Sequence, residues 1–192
     1  MEIISSDGVC GTEFPLVSYP VSLLYRAFGY HAFWHRFIVF IILSLGAFLA
    51  WLFTSIFIQK LLWRVVHMVL WSATPILSFY GVSVLPDAAA LGFTLMAWYF
   101  FMEYYYKTNR NTQLLTSMIM FAGAGLLKPT FLMGIAVIWG LIILQKLRSK
   151  DFQINALKVF LYTLIPLSLS IAWIFYARHL TATTCNTHFL QR

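Results

Sequence analysis

Long apolar runs separated by short polar intervals dominate this chain. The runs cover residues 37–58, 61–80, 86–106, 114–127, 131–147 and 157–176. A helix that crosses a bilayer needs about 20 mostly apolar residues, so the pattern predicts about six membrane-spanning helices. Pro75 lies inside the second run and predicts a kink or an end of that helix. The fourth run is short and rich in Gly and Ala, which is typical of a helix packed closely among others.

The segment before the first run has a different pattern. Residues 11–29, GTEFPLVSYPVSLLYRAFG, mix apolar side chains with Tyr19, Tyr25 and Arg26. This mixture favours a short amphipathic helix that lies in the membrane interface. Gly29 is placed to end that helix, and residues 13–15 would form the turn that leads into it.

The composition supports a membrane environment. Hydrophobic residues make up 61% of the chain and charged residues 10%, whereas soluble domains carry about 25% charged residues. The sequence therefore predicts an all-α polytopic membrane protein. Its parts would be an outer segment with the interfacial helix at 1–36, a transmembrane helical region at 37–178 and the start of an outer loop at 179–192.

The basic residues predict the orientation. The net charge is +7, but the Lys and Arg residues fall in short loops rather than in one tract, which argues against nucleic-acid binding. Cytoplasmic loops carry an excess of Lys and Arg. With residue 37 entering from outside, eight of the 13 basic residues lie inside and five lie outside; the inside set is Lys60, Arg64, Lys107, Arg110, Lys146, Arg148, Lys150 and Lys158.

The few acids are the first candidates for chemistry. Glu103 lies four residues before Lys107, which predicts a structural ion pair. Asp87 follows Pro86 at the start of the third run, where it either interacts with the helix dipole or lies at the mouth of an outward cavity. Lys128 lies in a tight outer turn, where it either snorkels to the interface or binds a phosphate.

The remaining candidates are weaker. His31 and His35 share a spacing that a zinc pair would use, but further ligands are not evident, so interfacial aromatic residues are the favoured interpretation. Cys10 and Cys185 show no metal-binding spacing; a disulfide and two unpaired thiols both remain open.

Several short motifs together resemble a known family. Glu13-Phe-Pro-Leu, Tyr19-Pro and Leu23-Leu-Tyr-Arg-Ala-Phe-Gly29 resemble the end of the first periplasmic loop of bacterial membrane glycosyltransferases. The group is the dolichyl-phosphate-mannose protein mannosyltransferase-like one, which includes the lipid A aminoarabinose transferases and has the GT-C fold. Pro86-Asp87-Ala-Ala-Ala, Gly125-Leu-Leu-Lys-Pro129 and Ala177-Arg-His-Leu resemble later outward segments of the same family.

The resemblance implies a function. Members transfer a sugar from a polyprenyl-phosphate carrier to a lipid, glycan or protein acceptor on the outer face of the bacterial cytoplasmic membrane. Carried over to this chain, Glu13 and Asp87 would be the carboxylates of the catalytic pocket, and Lys128 and Arg178 would contact the donor phosphate. A divalent metal requirement is left open.

The resemblance also implies parts that this sequence lacks. The family has a first span and an acidic pair well before the Glu-Phe-Pro motif, and only twelve residues precede Glu13 here. We therefore expect the chain to be an internal piece of a larger enzyme and to be inactive alone. The alternatives are a subunit of a multi-span transporter and a membrane scaffold without catalytic activity.

Overall fold

The described part of the chain is helical. The computed structural model describes residues 14–74, 85–108, 110–148 and 155–184, and within these ranges it contains helices and turns without a strand. The helices are α1 (Ser18–Phe28), α2 (Phe33–Phe57), α3 (Leu61–Ser72), α4 (Pro86–Glu103), α5 (Asn111–Leu127), α6 (Met133–Arg148) and α7 (Ala156–Thr184). A π-helical turn, Tyr104–Thr108, follows α4, and a 3-10 helix, Pro129–Leu132, leads into α6. The all-α prediction is confirmed.

Three helices are long and apolar enough to cross a membrane. They are α2, the continuous helix Pro129–Arg148 that contains α6, and Ala156–His179 within α7. These helices indicate a membrane protein, as the composition predicted.

The predicted count of six spans is not confirmed. In the second run the helix α3 has 12 residues and ends at Ser72, before Pro75, which lies outside the described residues. The third run contains α4, whose 18 residues include Pro86, Asp87 and Glu103 at the ends. The fourth contains α5, which has 17 residues.

Helix α4 lies between α2 and α5 and packs against both. Small residues allow the close approach to α2: a Cβ atom on Gly92 would lie 2.7 Å from the carbonyl oxygen of Ile42, and one on Gly46 would lie 2.6 Å from the carbonyl oxygen of Gly92. On the α5 side, the hydroxyl of Ser117 donates a hydrogen bond of 2.8 Å to the carbonyl of Ala97. Backbone contact of this kind is how helices associate where lipid supplies no hydrophobic driving force.

The buried side chains form two clusters. The larger one joins α4, α5, α6 and α7 through large side chains that include Phe101, Phe121 and Ile138. The smaller one lies at the beginning of α4 and the end of α5, where Val17 and Val21 of the α1 segment pack with Ala88–Ala90 and Leu127.

Helix α1 has the predicted end. Gly29 follows Phe28 with a φ of 82°, and its backbone N–H donates to the carbonyl of Tyr25. Positive φ favours glycine because it has no Cβ atom. Val21 is buried while Tyr19 and Phe28 are exposed, so the helix has two different faces, as its sequence indicated.

Candidate functional site

Asp87 occupies the first turn of α4. Pro86 stands at the start of the helix, where its missing N–H costs no hydrogen bond and its fixed φ suits the helix. The carboxylate of Asp87 therefore lies at the positive end of the helix dipole, which interacts favourably with a negative side chain. The remainder of this turn, Ala88–Ala90, is buried.

Lys128 lies in the connection between α5 and the 3-10 helix. Its backbone is extended; its N–H donates to the carbonyl of Ala124 at 2.8 Å, and its own carbonyl accepts from the N–H of Phe131 at 3.0 Å. These bonds hold the backbone of Lys128 while its side chain extends towards α4.

The Lys128 amine donates to the Asp87 carboxylate and forms an ion pair with it. The two residues are 41 positions apart in sequence, so the pair depends on how α4 and α5 pack. The Lys128 side chain is 42% exposed and that of Asp87 is 23% exposed. The amine of Lys128 is therefore partly accessible to solvent at this end of the bundle.

The segment after Glu13 reaches the same end of the bundle. The ring of Phe14 lies edge-on to Trp173 of α7 at 4.8 Å between centroids. Val17 shares the smaller cluster with the Ala residues next to Asp87 and with Leu127, the neighbour of Lys128. Glu13 itself lies outside the described residues, so its role in the pocket stays a prediction.

Arg178 lies on α7 about one turn beyond Trp173 and is exposed. It forms no ion pair with the residues that the structure describes. Its predicted contact with a donor phosphate therefore rests on the family resemblance alone.

A second ion pair lies at the other end of α4. The Lys107 amine donates to the Glu103 carboxylate at 2.7 Å, which confirms the pair predicted from their spacing. This hydrogen bond to Glu103 raises the pKa of Lys107 above its ordinary value. Nearby, Lys158 donates to the side chain of Asn111 at 3.3 Å, so residues predicted to lie inside gather at this end.

The histidine pair shows no metal-binding arrangement. The Nδ1 atom of His31 accepts a hydrogen bond of 3.1 Å from the N–H of Phe33 at the beginning of α2. Among the residues that the structure describes, no three His, Cys, Asp or Glu side chains lie close enough together to hold a metal ion. Cys10 and Cys185 both lie outside that part of the chain.

The sequence singled out Asp87 and Lys128 separately but did not pair them. The available signal was their common outer side and their positions at the beginning and the end of adjacent apolar runs. The chain matches no protein-family model, no curated protein and no solved structure in comparisons with known proteins.

Proposed function

We propose that this chain belongs to a membrane glycosyltransferase that transfers a sugar from a polyprenyl-phosphate donor to an acceptor at the outer face of the bacterial cytoplasmic membrane. The observation that supports it is the convergence of three motifs. Glu13-Phe-Pro, Pro86-Asp87 and Gly125–Pro129 are far apart in sequence, yet the described parts of all three meet at one end of the bundle.

In this proposal the residues have separate roles. In the family that this chain resembles, a carboxylate takes the proton from the acceptor hydroxyl, whose oxygen attacks the anomeric carbon of the donor sugar. Glu13 is the loop carboxylate that shapes the pocket for the acceptor and the donor. The bond from that carbon to the phosphate oxygen breaks, and the polyprenyl phosphate leaves with the electron pair. Lys128, with Arg178, stabilises the negative charge on this phosphate. Asp87, which is paired with Lys128, holds the amine in position and lines the same cavity.

The main rival is a transporter. A transport pathway favours paired polar groups near the middle of the membrane. The two ion pairs described above, Asp87 with Lys128 and Glu103 with Lys107, lie instead at opposite ends of α4. This placement favours a surface site over a pathway.

Donor recognition is tested by ligand binding. The full chain is placed in lipid nanodiscs, and its affinity for undecaprenyl phosphate is measured for the parent, Lys128→Ala and the control Lys107→Ala. We expect Lys128→Ala to weaken binding about tenfold or more, because a hydrogen bond to a charged group contributes ~1.5–3 kcal/mol. Lys107→Ala should bind like the parent. Equal affinities for the two variants would argue against a phosphate site at Lys128.

Transfer is tested in proteoliposomes with a radiolabelled sugar on polyprenyl phosphate. The variants Glu13→Gln and Asp87→Asn are compared with Glu103→Gln at the opposite end. We expect transfer to be lost in Glu13→Gln and in Asp87→Asn but retained in Glu103→Gln, when each change is made in the full-length gene product. A membrane scaffold predicts that all three leave transfer unchanged, and a transporter predicts that the sugar crosses the bilayer without a new glycosidic bond.

A further inference from the structure

The cations at the Lys107 end of the bundle come from separate parts of the chain. Lys107 follows α4, Arg110 directly precedes α5, and Lys158 lies in the first turn of α7. The Lys158 amine donates to the side chain of Asn111, the first residue of α5, at 3.3 Å. The beginning of α7 therefore lies beside the beginning of α5, which brings Lys158 and Arg110 to one surface.

Little negative charge balances these cations. The acids among the residues that the structure describes are Asp87, at the opposite end of α4, and Glu103. Glu103 is paired with Lys107. Arg110 and Lys158 are both exposed, and neither forms an ion pair within the described part of the chain. These two cations therefore have no counter-charge there.

The same cations border the surface that faces lipid. In α7, Lys158 lies between Leu157 and Leu161, which are 66% and 56% exposed on a helix apolar enough to cross a membrane. Tyr106, directly before Lys107, is also exposed, and tyrosines are enriched at the level of the lipid headgroups. A lysine at the end of an apolar helix extends its amine to that level. The cations are therefore at the depth of the phospholipid phosphates.

We propose that Arg110 and Lys158 bind the headgroup phosphate of an anionic phospholipid in the surrounding bilayer. Arginine binds phosphate through its guanidinium fork and lysine as a point charge. Because α6 begins near Lys128, its last turn carries Lys146 and Arg148 to the same end, where they add to the positive potential. A headgroup is already present at this depth, whereas a soluble partner would first have to displace it. This inference does not rest on the proposed sugar transfer.

Competition between two phospholipids tests the site. The full chain is reconstituted in nanodiscs of equal parts phosphatidylglycerol, which is anionic, and phosphatidylcholine, which has no net charge. After transfer to mild detergent, the retained lipids are counted by native mass spectrometry. We expect the parent to retain phosphatidylglycerol in excess, and the excess to fall about tenfold or more in the double variant Arg110→Gln with Lys158→Gln, because each cation near an anionic surface strengthens binding severalfold. An equal excess in this variant and the parent overturns the proposal.

Two controls separate the site from net charge and from packing. Arg26→Gln with Arg36→Gln removes the same charge from exposed residues of the segment that contains α1 and the beginning of α2. Asn111→Ala removes the hydrogen-bond partner of Lys158 but leaves both cations in place. Both controls should retain phosphatidylglycerol in excess, as the parent does. A loss in either control as large as in the double variant overturns the proposal.

A further measurement uses the parent alone and does not depend on the folding of a variant. The excess of phosphatidylglycerol should decrease as sodium chloride is raised, because interactions between exposed charges are screened. Inorganic phosphate at the same ionic strength should displace no more phosphatidylglycerol than chloride does. An excess that is independent of salt overturns the proposal. Stronger displacement by inorganic phosphate also overturns it, since the surface would then bind free anions rather than a lipid headgroup.

Discussion

Gly46 and Gly92 set the distance between α2 and α4. A Cβ atom at Gly92 would lie 2.7 Å from the carbonyl oxygen of Ile42, which is backbone and cannot rotate away. Gly92→Ala should therefore force the helices apart and lower the free energy of unfolding by about 1–3 kcal/mol, the usual cost of overpacking a core. Unfolding by denaturing detergent, followed by circular dichroism, measures this change.

The matched control is Gly140→Ala. Gly140 stands inside α6, and apart from its chain neighbours and the backbone of its own helix, no atom lies within 4 Å of a Cβ atom built there. Alanine is more favourable than glycine in a helix interior by up to ~1 kcal/mol, so this variant should be as stable as the parent or more stable. If Gly92→Ala and Gly140→Ala have the same free energy of unfolding, Gly92 is not required for the close approach of α2 and α4.

The ion pair of Asp87 and Lys128 also allows a quantitative prediction. Both side chains are partly exposed, so a double-mutant cycle of Asp87→Asn and Lys128→Met should give a coupling free energy of about 0.5–1 kcal/mol. Asp87→Asn should cost more than Lys128→Met, because the carboxylate also interacts with the helix dipole. The coupling should decrease as salt rises.

The pair of Glu103 and Lys107 provides the comparison for this cycle. It is an i,i+4 pair whose lysine side chain is 54% exposed, so its coupling should be about 0.3–0.5 kcal/mol. A coupling that is absent for Asp87 with Lys128 but present for Glu103 with Lys107 would contradict the ion pair between α4 and α5.

At the scale of helices, a side-chain hydrogen bond joins α4 to α5 directly. Ser117 is fully buried, and its hydroxyl donates to the carbonyl of Ala97 on the other helix. Ser117→Ala should lower the free energy of unfolding by about 0.5–1 kcal/mol, the range for such bonds between membrane helices. Thr116→Ala is the control, because the Thr116 hydroxyl donates to the carbonyl of Thr112 within α5. A loss of equal size in both variants would contradict a specific contribution of the Ser117 bond.

The sequence predicted some helices well for a physical reason. Helices α2, α6 and α7 coincide with apolar runs because a helix in lipid is apolar on all sides, and such a run is readable without knowing its neighbours. The end of α1 at Gly29 was readable because positive φ is a local property of that residue.

The contacts between helices could not be read in the same way. An apolar pattern does not specify which helices are neighbours. The lengths of α3, α4 and α5 depend on those neighbours, and so do the roles of Gly46 and Gly92. The candidate site shows the same division. Asp87 and Lys128 were recognisable as unusual charges at helix ends, but their pairing required the packing of α4 on α5.

At the scale of the whole molecule, the charges divide between two ends. One end has Asp87 and Lys128 beside the α1 segment. The other has Glu103, Lys107 and Lys158, and the Lys158 amine there donates to the neutral side chain of Asn111. The loops at the end with Lys107 and Lys158 carry the excess of basic residues, which predicts that this end faces the cytoplasm. The proposed transfer of a sugar at the outer face requires that orientation.

Cysteine labelling in cells tests this orientation. Thr130, at the Lys128 end, and Thr112, at the Lys107 end, are both exposed, so Thr130→Cys and Thr112→Cys report on the two ends in a background with Cys10→Ser and Cys185→Ser. A maleimide that cannot cross membranes should label Thr130→Cys in intact cells and Thr112→Cys only after permeabilisation. The reverse result would place Asp87 and Lys128 in the cytoplasm, where a donor presented at the outer face does not reach them.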